Sequence, residues 1–370
     1  MLHFLSKIFA YVMKAWGWVL LIIMALVLKF ITNYPFWIEE NYSSNIYLLI
    51  SKFQRAVFGW VPFSIGDVFY AFIIIIVILK TWQLLSAWYK KEIDRQFILM
   101  GLKHLIFFFL FMYVFFYALW GLNYYRQGIA YQFSLEIKEN SREDIDTLAG
   151  QLQQKLNYYA GKVNDKQRDS ISKNQQLFER TNDAYLYAAT TIPFFDYTPQ
   201  SIKPSLFSYA GNYLGFQGYY NPFSGEAQVN TTIPRCLEPF VSAHETAHQL
   251  GYAKESVANF VAFLTCKNYP ATTFQYSMYF DLYHYAITEL WDSDSLKAKE
   301  YNQKLHPQAV KDFRECEEFY KRHQNPVETF ITFLYGNFLV ANNQPEGKRS
   351  YNRVINYLIA YYKKNGIEAI

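Results

Sequence analysis

Two of the seven histidines in this chain of 370 residues lie four positions apart, in the segment HETAH from His244 to His248. Residues at positions i and i+4 of a helix lie on one face about one turn apart, so both imidazoles can bind one metal ion. Glu245 follows the first histidine, where its carboxylate can take a proton from a water molecule at the metal. We therefore predict a Zn2+ site with His244 and His248 as ligands and Glu245 as the catalytic residue. The alternative is an ordinary pair of core or surface histidines.

A catalytic zinc site normally has three protein ligands and one open position for water. We expect Glu255, which begins the segment ESVANF, to be the third ligand. Asn259 shares a helix face with Glu255 and can orient a ligand through a hydrogen bond. The alternative for Glu255 is a solvated acid in the first turn of a helix, which the helix dipole also favours. Because Gly251 is a natural helix terminator, the chain must reverse sharply there for Glu255 to reach the metal.

The segment GEAQVNTTI, residues 225–233, is the strand-like run nearest to the histidines in sequence. We expect it to be an edge strand that pairs with an extended peptide substrate. Glu226 and Asn230 would then lie on one face of it, although a structural role in turns is an equal alternative. Candidates for stabilising an oxyanion are Tyr276, Tyr283 and His284 on the following helix.

The elements that position these residues include a membrane portion. Hydrophobic residues make up 52% of the chain and charged residues 18%, against about 25% charged in an ordinary soluble domain. Three apolar runs predict transmembrane helices over about 15–31, 62–84 and 98–122. Asp67 and Lys103 lie near predicted membrane edges, where snorkelling explains them, so a transporter is a weak hypothesis.

The distribution of positive charge predicts the orientation of these spans. Lys90, Lys91 and Arg95 lie in or next to the link between the second and third spans, and Lys7 and Lys14 lie in the N-terminal segment. Since cytoplasmic segments carry the excess of Lys and Arg, both segments are expected in the cytoplasm. The chain after the third span then lies outside the cytoplasm.

Residues 45–58 predict a helix in the link between the first two spans. Its apolar positions recur at helical spacing, which favours a helix lying in the membrane interface with its apolar side in lipid. A helix packed on the soluble domain is an equal alternative. We accordingly divide the chain into a membrane domain over 1–125 and an outer domain over 126–370.

The outer domain is expected to be mostly helical. Ser141 predicts a helix cap, with Asp144 three residues later. Helical periodicity follows over 174–190, 272–291, 307–321, 327–341 and 350–363, and the glycine- and aromatic-rich segment 205–233 predicts irregular chain with one or two short strands. The predicted fold class is mainly α: three N-terminal transmembrane helices, then a mostly helical domain with a small β element before the HExxH helix.

The HExxH helix followed by E-x-x-A-N, with Glu255 and Asn259, resembles the gluzincins, such as the ImmA/IrrE-type metallopeptidases. That resemblance implies a zincin-like fold, a Zn2+ cofactor and a peptide or protein substrate, although the interval from His248 to Glu255 is shorter than is usual in gluzincins. Nearly the whole chain, including WGLNYYR and GYYNPFSGEAQVN, resembles a bacterial family of multi-pass membrane proteins defined by a domain of unknown function. This second resemblance implies a multi-pass protein of the bacterial cytoplasmic membrane.

Composition and motif together favour a membrane-anchored zinc metallohydrolase, most simply a peptidase acting outside the cytoplasm. The second hypothesis is a non-catalytic membrane sensor or assembly factor with a structural or vestigial metal site. A net charge of +4 is too small to indicate nucleic-acid binding. Three cysteines without a CxxC pair are expected to be buried thiols. The expected partner is the lipid bilayer, and the sequence leaves the oligomeric state open.

Overall fold

The computed structural model describes residues 15–169, 171 and 173–370, and the fold is mainly helical. Lys7 and Lys14, on which the orientation prediction partly rests, lie outside these residues. The longer helices are α1 Ala15–Ile31, α2 Tyr47–Phe58, α3 Ile65–Tyr89, α4 Arg95–Leu119, α5 Arg142–Ala160, α6 Asn174–Ala189, α7 Ser208–Leu214, α8 Glu238–Gln249, α9 Glu255–Cys266, α10 Thr272–Ser293, α11 Ser295–Gln303, α12 Pro307–His323, α13 Pro326–Ala341 and α14 Val354–Asn365.

Shorter helical pieces connect these elements. A π-helical stretch, Ile38–Ile46, leads into α2. Single turns lie at Pro35–Trp37, Gly121–Tyr125, Ile129–Gln132, Asp165–Asp169, Pro193–Phe195, Gly347–Tyr351 and Ile367–Ala369.

Helices α3 and α4 are each 25 residues long and apolar enough to cross a membrane. The most apolar part of α3 has none of its residues buried inside the protein. Helix α1 has 17 described residues and passes the same test only together with the helical segment Pro35–Phe58, to which it is bent by 101°. The described chain therefore has two candidate spans, or three if the bent pair counts as one, compatible with a membrane protein.

The first residues of α3 and α4 follow from their caps. The Ser64 hydroxyl accepts a hydrogen bond from the backbone N–H of Asp67, and the Asp94 carboxylate accepts one from the backbone N–H of Phe97. Such caps satisfy N–H groups that have no partner inside the helix. The helices consequently begin at Ile65 and Arg95, not at the predicted positions 62 and 98.

Helix α2 is amphipathic, and its two sides have different surroundings. Its polar side is buried on the outer domain, with Ser51 and Arg55 fully enclosed. Its apolar side, with Leu49 72% and Phe53 69% exposed, has no protein cover. The helix packs on the rest of the protein, as one alternative for residues 45–58 states, and it also presents an apolar face outward. That this face lies in lipid stays a prediction.

The core of the outer domain surrounds α8, α9 and α10. Helix α10 packs along α5, while α6 packs on α8 and α9. Ser141 caps α5 through a reciprocal pair of hydrogen bonds with Asp144, as the sequence predicts. The three cysteines are free and buried.

A three-stranded sheet lies against α8. Its strands are β1 Ile202–Pro204, β2 Gly218–Asn221 and β3 Glu226–Val229, in the order β1-β3-β2. β3 runs parallel to β1, with Ile202 opposite Ala227, and antiparallel to β2, with Gly218 opposite Val229. The prediction that residues 225–233 form an edge strand is wrong. Both sides of β3 are paired, so β2 and β1 are the edges.

Two buried carboxylates join the sheet region to the start of α3. Glu226 accepts hydrogen bonds from the backbone N–H groups of Gly66 (2.6 Å) and Ile65 (3.1 Å). Asp67 accepts from the backbone N–H of Leu206 (2.7 Å) and from the Tyr219 hydroxyl (2.6 Å). Snorkelling is therefore the wrong explanation for Asp67, whose side chain is buried in the outer domain.

Candidate metal centre

Helix α8 carries the HETAH segment and is buried along its whole length. Pro239 lies in its first turn, where the missing N–H costs no hydrogen bond. The helix is enclosed by the sheet, α6, α9 and α10. Histidines and glutamates on such a helix are polar groups inside a core, and they are stable there only with partners.

The chain reverses after α8 at Gly251, which adopts a left-handed conformation with φ +83°. A side chain there would be strained by this φ and would also lie 2.8 Å from the ring of Tyr47. The backbone N–H groups of Gly251 and Tyr252 bond back to the carbonyls of His248 and Ala247. This compact turn places the start of α9 beside α8, as the sequence argument for Glu255 requires.

His244, His248 and Glu255 form a group of buried side chains that could hold a metal ion. The two Nε2 atoms are 3.1 Å apart, and Glu255 Oε2 lies 3.1 Å from His244 Nε2 and 3.4 Å from His248 Nε2. Tetrahedral ligands at zinc–nitrogen distances of about 2.0–2.1 Å are separated by about 3.3 Å. The donor atoms therefore have the spacing of ligands around one small cation.

The second nitrogen of each imidazole has its own partner. His248 Nδ1 donates to the backbone carbonyl of Tyr252 (2.8 Å), and His244 Nδ1 lies 2.7 Å from Asn259 Oδ1. Such partners fix the ring orientation and leave the Nε2 lone pairs for the metal. Asn259 therefore lies beside His244, one of the candidate ligands.

Glu245 lies next to this group with an unused oxygen. It is almost fully buried, and its Oε2 has no hydrogen-bond partner among the described residues. A buried polar atom without a partner is costly, so a water molecule or ligand is expected beside it. Burial raises the pKa of Glu245 to about 7. A carboxyl group in this state can accept and return a proton near neutral pH.

The charges of the candidate ligands shift one another's pKa values when no metal is bound. Burial lowers the pKa of His248, but the Glu255 carboxylate outweighs burial and raises that pKa to about 9. Burial raises the pKa of Glu255, but the two histidines outweigh it and hold that pKa far below the usual range. Protons and a metal ion therefore compete for the same atoms.

Two tyrosines from the C-terminal part of the chain cover the group. The Tyr335 hydroxyl on α13 donates to Glu255 Oε1 (2.7 Å). The Tyr351 ring stacks on His244 with centroids 6.1 Å apart, and its hydroxyl lies 3.4 Å from that of Tyr335. Both phenols are long-range neighbours of the site, and with 33 tyrosines in the chain no local pattern marks them.

Residues of the predicted membrane domain bond to the C-terminal end of α8. The last carbonyl groups of this helix have no partners inside it. The carbonyl of Gln249 accepts hydrogen bonds from Ser51 Oγ (2.8 Å) and Tyr47 Oη (3.0 Å), and the carbonyl of His248 accepts one from Trp120 Nε1 (3.2 Å). The segment that carries His248 is thus bonded to residues of the predicted membrane domain.

A buried ion pair holds the turn that follows. Arg126 bonds through two nitrogens to Glu39 (2.8 and 2.5 Å) and donates to the carbonyl of Gly251 (3.2 Å). Its guanidinium also lies 4.9 Å from the centroid of the Tyr252 ring. Arg126 therefore contacts Gly251 and Tyr252, two residues of the segment between His248 and Glu255.

The three predicted oxyanion candidates contact other parts of the protein. The Tyr276 hydroxyl donates to Asp312, the Tyr283 hydroxyl donates to Asn302, and His284 lies beside Phe313. Because α10 turns these side chains toward α11 and α12, their placement at the site is wrong. The tyrosines Tyr335 and Tyr351 contact the candidate ligands Glu255 and His244.

Glu226 and Asn230 do not line an open groove. Glu226 caps α3, and Asn230 donates to Asn212 (2.8 Å) and to the carbonyl of Phe216 (2.9 Å). These contacts support the alternative of a structural role for both residues. The strand residue that meets the site is Gly218 of β2, where an added Cβ would lie 2.5 Å from Glu245 Oε1. A glycine beginning a tyrosine-rich strand is the only local signal for this close approach.

A family model described as "Protein of unknown function (DUF3810)" matches residues 42–359. This range includes the candidate ligands, α13 and most of the membrane domain. No curated protein and no solved structure matches the chain at a significant level.

Proposed function

The chain belongs to the DUF3810 family, and from the geometry of its site we propose that it is a membrane-anchored, zinc-dependent peptidase. One observation carries the proposal: three donor atoms at the spacing of a tetrahedral metal site lie beside a buried glutamate with an unused oxygen. A structural zinc site usually has four protein ligands, whereas three ligands next to a free carboxylate are typical of hydrolytic sites.

His244, His248 and Glu255 would hold the ion, oriented by Asn259, the Tyr252 carbonyl and Tyr335. When bound, Zn2+ supplies Lewis acidity toward a scissile carbonyl and an attacking water molecule. Glu245 would accept the proton of that water at Oε2 and pass it to the leaving amine.

The Tyr351 hydroxyl would be the donor to a tetrahedral oxyanion, because the single hydroxyl proton of Tyr335 is already donated to Glu255. Tyr335 and Tyr351 are half-buried residues from the C-terminal part of the chain. Burial raises the pKa of each well above its usual value, so both hydroxyls keep their protons at neutral pH. A protonated, preorganised donor stabilises developing negative charge.

The edge strand β2 suits an extended peptide. Gln217, Tyr219 and Asn221 pair with β3, so the backbone groups of Gly218 and Tyr220 point away from the sheet. A substrate strand bonded to these groups would pass Glu245, which touches Gly218. This pairing favours a peptide over a small ester or amide as substrate.

The proposal places the protein in the bacterial cytoplasmic membrane with three spans, a cytoplasmic N-terminus and an extracytoplasmic domain over 126–370. Support comes from the apolar helices α1, α3 and α4, and from Lys90 and Lys91, which are exposed in the link between α3 and α4.

The test uses the full-length protein purified in detergent. We expect about one zinc per chain by elemental mass spectrometry and chelator-sensitive cleavage of a peptide library. Glu245→Gln is expected to retain zinc and lose activity by at least about 100-fold, because the proton acceptor is gone. Glu238→Gln is the matched control, since Glu238 is a buried acid in the first turn of the same helix, where Arg235 is its charged neighbour.

Two results would overturn this function. Cleavage that survives Glu245→Gln would exclude the mechanism. Zinc bound by a folded protein that cleaves no peptide in the library would instead indicate the non-catalytic sensor or assembly factor.

A further inference from the structure

Helix α13 exposes an apolar face although it belongs to the predicted outer domain. Over Pro326–Ala341 its only charged residue is Glu328, in the first turn. Among its exposed residues, Phe333 is 64% and Phe330 is 59% exposed, and the others include Val327, Leu334 and Val340. A surface this apolar on one helix indicates a partner.

The C-terminal end of α13 is attached to the end of the candidate span α4. The Phe338 ring packs edge-to-face against Phe116, with centroids 6.1 Å apart. Just after α13, Asn342 accepts a hydrogen bond from the Tyr117 hydroxyl (2.9 Å). These contacts place this end of the helix at the level where α4 leaves the membrane.

The N-terminal end of α13 is connected to the beginning of the candidate span α3. Asn325 donates to the carbonyl of Tyr213, at the end of α7 (2.7 Å). The segment leading into α7 begins at Leu206, whose N–H binds Asp67 in the first turn of α3. Leu206 and Tyr209 on this path are themselves 55% and 69% exposed.

The start of α3 and the end of α4 lie on the same side of a membrane that both helices cross. A helix of 16 residues, about 24 Å long, that is tied to both points lies along the membrane surface. We propose that α13 is an interfacial helix whose face at Phe330, Phe333 and Leu334 is inserted among the lipids beside α3 and α4. The occupant of this face is thus lipid, because the face continues the lipid-facing surface of the candidate spans.

The opposite side of α13 carries Tyr335, which bonds to Glu255. One helix diameter, about 10 Å, then separates the candidate metal centre from the lipid. If the proposed peptidase function holds, its substrates are polypeptides attached to the membrane or emerging from it, because a site this close to lipid admits segments next to the bilayer.

The test measures where α13 lies and does not depend on activity. Phe333→Cys is labelled with an environment-sensitive fluorophore in the full-length protein, reconstituted into phosphatidylcholine and phosphatidylglycerol vesicles. The native cysteines are buried, which directs the label to the introduced thiol. Leu79→Cys on α3 is the lipid-facing reference, and Glu317→Cys on α12, with a side chain 61% exposed, is the water-facing control.

We expect brominated acyl chains to quench the label at 333 at least half as strongly as at 79. Aqueous iodide should quench the label at 333 at least fivefold less than at 317. Strong iodide quenching at 333 would overturn the proposal, as would protection from both quenchers, which would indicate a second copy or another protein on this face. Phe330→Cys repeats the measurement on the same face if the first variant does not fold.

Discussion

Replacing Gly218 by alanine is expected to abolish hydrolysis while leaving the metal in place. A Cβ at this position would lie 2.5 Å from Oε1, 2.7 Å from Cγ and 2.8 Å from Cδ of Glu245. Ordinary contacts between such atoms are about 3.5–4.0 Å, so the glutamate must retreat by about 1 Å. Because Cγ and Cδ are affected as well, rotating the carboxylate alone does not relieve the contact.

The size of the effect follows from that displacement. A reacting group misplaced by about 1 Å can cost about 100-fold in rate. Overpacking a buried site costs about 1–3 kcal/mol of stability, which leaves the protein folded if its stability is typical. The three atoms nearest to that Cβ all belong to Glu245, so the displacement falls on Glu245 first and zinc binding should persist.

The assay compares kcat/KM on a cleaved peptide, zinc content and Tm for wild type and Gly218→Ala. Gly150→Ala is the control, since its Cβ would lie 2.9 Å from the hydroxyl of Tyr301, which is not one of the candidate site residues. The expected pattern is that both variants fold and that activity is lost only in Gly218→Ala. Activity within about threefold of wild type in Gly218→Ala would refute the placement of Glu245 at the reacting centre.

Two further predictions concern the support of the site and pH. Asn259→Ala is expected to weaken zinc binding by about 10–100-fold in a competition with a chromophoric chelator, because His244 Nδ1 loses its partner; an unchanged affinity would contradict this. Asp281 is buried, and burial raises its pKa to about 7 from an ordinary 3.8. The described groups on which its charge acts include the neutral side chains of Tyr285, Tyr320 and Cys236. The folded state therefore holds this proton more tightly than the unfolded chain, and the stability that the neutral acid contributes is lost as pH rises from about 4 through about 7, by up to about 4 kcal/mol. Asp281→Asn should flatten that fall and raise Tm at pH 8, and a steeper fall in the variant would be the opposite of the expected result.

Each part of the site that could be predicted from the sequence depends on residues that are close together along the chain. The spacing of His244 and His248 is a property of one helix, and Asn259 follows Glu255 on one helix face. The reversal at Gly251 depends on a residue type that tolerates positive φ. The mainly helical class and the apolar helices are likewise encoded by local periodicity and composition, and the structure confirms them.

The predictions that were wrong depend on contacts between segments that are distant along the chain. Tyr276, Tyr283 and His284 were predicted at the site because they lie on the next long helix, but the rotation of α10 against α5 decides where they point. The strand near 225–233 exists, yet its position in the sheet depends on residues 202–204, which add a third strand beside it.

The sequence by itself determined the chemistry available to this protein, because metal-ligand spacing, helix caps and apolar spans are set by neighbours within a few residues. Only the tertiary structure decided what surrounds that chemistry. Tyr335 and Tyr351 reach the site from about 80 to 110 residues away along the chain. Tyr47 and Trp120 of the predicted membrane domain reach the end of α8, and Glu39 holds Arg126, which bonds to the turn. Such contacts depend on how whole elements pack, and packing is settled by the burial of every element at once.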